Sequence, residues 1–104
     1  MNRVNIELWF WLGKELGRDF DSPSEMRCSR EEFVEEGTTV RQLLEDLAKR
    51  YPAIAERIYD LGTKSVYPHV VVNYNDRVIS PHIVHAQVLK DGDKITLMPL
   101  YTGG

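Results

Sequence analysis

Residues 39–51 leave this chain little choice of structure. Val40, Leu43, Leu44, Leu47, Ala48 and Tyr51 recur at i, i+3, i+4 and i+7, which aligns them as one apolar stripe along a helix. Thr39 stands in front as an N-cap, and Gln42 three residues on completes a capping box. Glu45 with Lys49 and Asp46 with Arg50 form i, i+4 pairs on the opposite face, worth about 0.2–0.5 kcal/mol each. A helix with a single stripe needs an apolar surface to lie on, and the flanking segments supply strands. Val4, Ile6, Leu8, Phe10 and Leu12 alternate with Asn5, Glu7, Trp9 and Trp11, the period of a strand with one face in a core. The β-branched run at 69–73 predicts a second strand, and Tyr74-Asn75-Asp76 turns it into a short return strand at 77–79. A tight turn at 90–93 then leads into a final strand at 94–98 with Ile95 and Leu97 inward.

The remaining segments are less regular. Residues 13–24 read as a connection, rich in Gly, Asp, Ser and Pro. In 26–36, Met26 and Cys28 share a face while Phe33 falls out of phase, so a strand here needs a bulge; a strand over at least 32–36, closed by Gly37, is expected. Ser22-Pro23-Ser24-Glu25 has the spacing of an alternative helix start. Pro52 ends the main helix or opens another, Ile54, Ile58 and Leu61 make a short stripe stopped by Gly62, and 80–86 is expected as a loop around Pro81. The 104 residues suit one domain, 1–104, of α+β class: a mixed four- to five-stranded sheet with one main helix packed across it.

Charge and composition narrow the function. The net charge of -3 argues against nucleic acid or an anionic membrane as the main partner, and no apolar run is long enough to span a bilayer. Cys28 is the single cysteine, so no internal disulfide forms. The first residues run straight into the alternating strand without a basic-then-apolar leader, so a cytoplasmic location is expected. His69, His82, His85 and Cys28 show no ligand spacing that enforces convergence, so no metal site is expected. No phosphate loop, carboxylate pair or nucleophile–base pair is recognisable, and the acidic residues Glu31, Glu32, Glu35 and Glu36 read as a solvated strand edge.

The last third, VVVNYNDRVI followed by VLKDGDKITLMPLYTGG, resembles the MoaD/ThiS family of sulfur carriers, as do the helix start EEGTTVRQLLEDLAKRYP and the first strand. The most specific features are the LKDGDKI turn and the Gly103-Gly104 end in one run. Met98-Pro99 stands where the family often has two prolines, and 18–29 looks like an insertion. The resemblance implies a ubiquitin-like β-grasp fold and a carrier that binds no cofactor and is not catalytic alone. A ubiquitin-activating-type enzyme would use ATP to adenylate the Gly104 carboxylate. Sulfur would then replace AMP to give a thiocarboxylate, and a synthase large subunit or other acceptor would take that sulfur. Molybdopterin assembly is the pathway it implies first, with a thiamine-thiazole donor as another. A protein modifier that forms isopeptide bonds through Gly104, or a β-grasp binding module with incidental glycines, are the rival readings.

The tail residues suit that chemistry on their own account. Pro99 has no N–H to give a ladder, so residues 99–104 are expected to leave the sheet as a flexible tail of Pro99, Leu100, Tyr101, Thr102, Gly103 and Gly104. Glycine has no Cβ to obstruct another enzyme's backbone or an incoming nucleophile. A terminal Gly-Gly arises by chance in roughly 1 chain in 200, so the dipeptide counts only together with the proline exit and the turn before it. Trp9 and Trp11 fall on the strand face opposite Leu8 and Phe10, and Met98 joins them by alternation. Large aromatics on an open sheet face mark a partner contact unless residues 18–29 fold over them.

Overall fold

A computed structural model of the protein describes residues 1–10, 16, 19–22, 24 and 26–100. Its elements run β1 (Asn2–Leu8), β2 (Cys28–Val34), α1 (Val40–Arg50), α2 (Pro52–Arg57), β3 (Tyr59–Asp60), β4 (Ser65–Val66), β5 (Val70–Tyr74), β6 (Arg77–Ile79), α3 (Pro81–Ala86) and β7 (Lys94–Pro99). Five strands form one mixed sheet in the order β2-β1-β7-β5-β6, with β1 and β7 parallel and the other pairs antiparallel. The last strand is therefore the middle one. Strands β3 and β4 make a separate hairpin.

The α1 stripe packs on one face of this sheet, as its periodicity predicts. Val40, Leu43, Leu44, Leu47 and Ala48 are buried, together with Val4, Ile6 and Leu8 of β1 and Ile95 and Leu97 of β7. The capping box is closed in both directions. Thr39 Oγ1 accepts the Gln42 N–H at 3.2 Å, and Gln42 Oε1 accepts the Thr39 N–H at 2.9 Å, a cap worth about 1 kcal/mol. Arg50 reaches Asp46 at 3.0 Å, whereas Glu45 pairs backward with Arg41 at 3.5 Å instead of forward with Lys49.

Several sequence expectations change. β1 ends at Leu8, not Leu12. Trp9 N–H still donates to Leu97 O at 2.8 Å. The next bond of a parallel ladder would come from the N–H of residue 99, which proline lacks. β2 is a regular strand with no bulge: Cys28, Arg30, Glu32 and Val34 face inward, and Phe33 simply points out at 64% exposure. It ends at Val34, before the turn that Gly37 closes with φ +87. Those residues exclude the alternative helix over the strand itself.

The acidic run is not all solvated. Glu32 is only 7% exposed and receives the guanidinium groups of Arg30 and Arg50. β2 is indeed an edge strand, and an inward-pointing charge is one way such an edge resists pairing with another chain. Arg30 and Arg50 are both pushed above their usual range. For Arg30 the hydrogen bond to Glu32 is the largest cause. For Arg50 burial works downward and the Glu32 hydrogen bond and charge outweigh it.

Residues 80–86 are a helix, not a loop. Ser80 Oγ accepts the Ile83 N–H at 3.4 Å, Pro81 sits at the first helical position where its missing N–H costs nothing, and Val84 is buried. Pro52 likewise opens α2. Leu61 does not continue the stripe of Ile54 and Ile58; it is 37% exposed in the turn between β3 and β4, and Tyr59 fills the core instead. From the 13–24 connection, Leu16 and Phe20 are buried, and Phe20 meets Tyr51 edge-on at 5.3 Å.

The turn before β7 is a polar lock. Gly92 has φ +90, where a side chain would be strained. Asp93, 7% exposed, accepts from the Tyr74 hydroxyl at 2.6 Å, Asn75 Nδ2 at 3.1 Å and the Lys90 N–H at 2.7 Å. Burial pushes the Asp93 carboxyl up, but these three donors outweigh it and hold it below its ordinary value. Burial first, then the Asp93 contact, pushes the Tyr74 phenol up to about 12. Asp93 therefore binds its proton more readily in the unfolded chain. Its stabilisation is whole above the ordinary carboxylate range and is lost as pH falls through the depressed native value. Tyr74 acts at the other end: its contribution is whole below about pH 10 and declines towards 12. Urea midpoints measured across a pH series are expected to fall on both sides of a neutral plateau, with the alkaline fall reduced in Tyr74→Phe.

Candidate functional site

β7 carries the chain from the centre of the sheet to the tail, and its register sets what surrounds the exit. Alternation along β7 and β5 gives N–H groups of even-numbered β7 residues to β5 and those of odd-numbered residues to β1. Pro99 thus lacks its donor only on the β1 side, where β1 has ended. On the other side pairing continues: Pro99 lies opposite Val70, and Leu100 N–H donates to His69 O at 2.6 Å. The sheet does not release the chain at Pro99, as the sequence suggested; it holds it through Leu100, whose side chain is 54% exposed. Tyr101, Thr102, Gly103 and Gly104 lie outside the described residues, as does Trp11.

The sheet face away from α1 presents two rows beside this exit. Leu8 is opposite Leu97 and Val71 opposite Met98, so Trp9, Met98 and Val71 stand side by side, all half-buried. One step back, Glu7, Thr96 and Asn73 form the next row, with Val78 of β6 at its end, 71% exposed. The structure brings Trp9, Met98, Pro99 and Leu100 together at one end of the sheet.

Trp9 is not bare. Its Nε1 donates to Glu7 Oε1 at 2.6 Å, and the Arg27 guanidinium lies over its ring, 4.2 Å from the centroid. Segment 18–29 therefore does reach the tryptophan, through Arg27. Sequence reasoning missed Glu7, Arg27 and Lys94 here. Glu7 was findable, because residues two apart on a strand share a face; Arg27 depends on a tertiary contact from an irregular loop.

The remaining candidates do not form a site. Cys28 is buried in β2, His69 is exposed in the turn before β5, and His82 and His85 are exposed on α3. Among the described residues, no three His, Cys, Asp or Glu side chains gather to hold a metal ion. No helix of the described residues is long and apolar enough to cross a membrane.

Comparison with known proteins agrees with this architecture. A family model described as the ThiS family matches residues 20–104. No curated protein matches the chain by sequence. Among solved structures, small archaeal modifier protein 1 of Haloferax volcanii superposes with a TM-score of 0.71 at 20% identity, covering 97% of this chain and 100% of that one. A putative molybdopterin converting factor subunit 1 from Pyrococcus furiosus gives 0.64 at 24% identity, over 97% and 100% of the two chains. The BexX/CysO complex of Amycolatopsis orientalis gives 0.62 at 23% identity, over 97% and 99%. At these identities the likeness is one of fold: a ubiquitin-like β-grasp sheet with a helix across it.

Proposed function

The chain belongs to the ThiS family, and on that premise we propose that it is a sulfur carrier whose C-terminal Gly104 is the reactive group. The observation that carries this reading is the way the fold presents the chain end. The middle strand of the sheet runs out through Pro99 and Leu100 beside a half-buried apolar row of Trp9, Met98 and Val71, and Gly103-Gly104 stands three residues further along the sequence. A partner that grips this end can seat on the row and reach the acyl group in one movement.

Chemically, the Gly104 carboxylate attacks the α-phosphorus of ATP in an adenylating enzyme and pyrophosphate leaves. A sulfide or persulfide sulfur then attacks the acyl carbon and AMP leaves; from a persulfide, a thiol cleaves the remaining S–S bond. The product is a thiocarboxylate, a better nucleophile than the carboxylate it replaces. The chain supplies no general acid or base; it supplies an unhindered acyl end and a docking face made by Trp9, Trp11, Met98, Pro99, Leu100, Tyr101 and Thr102. The work takes place in the cytoplasm, and ATP belongs to the partner.

Molybdopterin assembly is the acceptor pathway we favour, supported by the fold shared with a putative molybdopterin converting factor subunit. In that setting the chain is the small subunit beside a larger synthase subunit. A protein-modifier role is the second reading, supported by the fold shared with small archaeal modifier protein 1. Mass spectrometry of the protein from its own cells decides between them. Exchange of one C-terminal oxygen for sulfur is expected. Lysine adducts ending in Gly-Gly, with no sulfur-bearing form, would transfer the chain to the modifiers.

A further inference from the structure

The segment 18–29 delivers a cation to the sheet face where the tail leaves. Arg27 lies over Trp9, its guanidinium carbon 4.2 Å from the ring centroid, with Nε 3.9 Å from Glu7 Oε1. That same oxygen accepts Trp9 Nε1–H at 2.6 Å, and the other Glu7 oxygen lies 3.6 Å from Lys94 Nζ. One carboxylate is thus shared between two cations, and the cluster keeps a surplus positive charge in a chain of net charge -3. The Arg27 side chain is 46% exposed. Beyond Nε, its two NH2 groups meet no hydrogen-bond acceptor among the described residues.

Two physical features follow. A guanidinium held over an aromatic face and beside a carboxylate is biased towards one placement before any partner arrives, which lowers the cost of ordering it on binding. Its outward edge carries parallel N–H groups, the fork that a carboxylate fills with two hydrogen bonds. Trp9 stands beside Met98, two residues before Leu100, so a protein holding the tail passes over this edge.

Resting on the carrier function proposed above, we infer that Arg27, laid on Trp9 and braced by Glu7, is a docking contact for an Asp or Glu side chain of the enzyme that adenylates the tail. Because Arg27 is placed by the irregular segment before β2 and not by the sheet register, this contact selects among adenylating enzymes as well as adding affinity to one.

The test is steady-state adenylation by the cognate enzyme, read as pyrophosphate release while the concentration of full-length carrier is varied. Arg27→Ala is expected to raise KM about tenfold and Arg27→Glu about a hundredfold, with kcat unchanged, because a repelled carboxylate is worse than an unpaired one. Arg27→Lys keeps the charge but loses the fork, and is expected to fall between wild type and Arg27→Ala. The wild-type KM should rise with ionic strength more steeply than that of Arg27→Ala. Circular dichroism and thermal melting of each variant confirm that an exposed substitution leaves the fold intact. Equal KM values for wild type, Arg27→Ala and Arg27→Glu, with adenylation proceeding, would overturn the Arg27 contact alone. A wild-type chain that its enzyme never adenylates would overturn the carrier reading and this contact with it.

Discussion

Deletion of Gly104 is expected to abolish adenylation, a loss of at least about 10²-fold in kcat/KM, while the thermal midpoint of the protein stays where it was. The reason is reach. Leu100 is pinned by its N–H to His69 O, and Gly104 stands four positions after it in the sequence. Fully extended, those four residues span at most about 14 Å. Removing one shortens that reach by about 3.5 Å, and reacting groups misplaced by even about 1 Å can lose 10²-fold in rate. The thermal midpoint is expected to hold because the core, the ladder and the polar lock described above are all built from residues up to Leu100. Appending a residue after Gly104 should be equally damaging, since the carboxylate then lies on a different atom and at a different distance. Pyrophosphate release and a melting curve on the same preparations check both halves. A truncated chain that is adenylated normally would refute the acyl end as the reactive group.

The largest structural effect is expected at Asp93. Asp93→Ala removes the acceptor shared by the Tyr74 hydroxyl, Asn75 Nδ2 and the Lys90 N–H, and leaves these donors facing a part-buried space. A buried donor without a partner costs about 1–3 kcal/mol, and bonds to a charged acceptor are at the strong end. Water will reach some of them, so the total is expected near about 3 kcal/mol. For a chain of this size that lowers the melting temperature by about 12 °C or more. Asp93→Asn keeps an acceptor oxygen but places an NH2 among three donors, and should lie between wild type and Asp93→Ala. The alanine variant also loses Asp93's share of the acid dependence, so the gap between wild type and variant should narrow as pH falls through the native value of the carboxyl. Urea denaturation at neutral and acid pH measures both effects.

How much of this was legible in the sequence depends on the kind of information each element uses. The helix with its capping box, the start of the first strand, the β5–β6 turn and the turn at 90–93 before β7 all rest on local periodicity and turn chemistry, and each stands where the pattern puts it, although β1 stops at Leu8. The polar lock was visible only as a turn, because its acceptor, Asp93, and its donor Tyr74 are nineteen residues apart. β2 was misjudged at Phe33 because a large apolar residue was assumed to face the core; its exposure moves the inward register to Cys28, Arg30, Glu32 and Val34. Pro81 was read as a breaker when it was a starter, and only Ser80 in front of it distinguishes the two. At the candidate site, Trp9 and Met98 were named from alternation, and Leu100 from its place after Pro99. Arg27 could not be, since its place over Trp9 is fixed by the path of a loop and not by any repeat.

The parallel pairing of β1 with β7 has a consequence for synthesis. The first strand to leave the ribosome must wait for the last one before it gains its inner neighbour, and β5 waits for the same strand from the other side. A nascent chain that stops before residue 94 lacks the middle of the sheet and has no route to the native core, because these long-range contacts form together. Chains truncated before Lys94 therefore lack the strand that joins the two halves of the sheet, and are expected to be open to proteolysis.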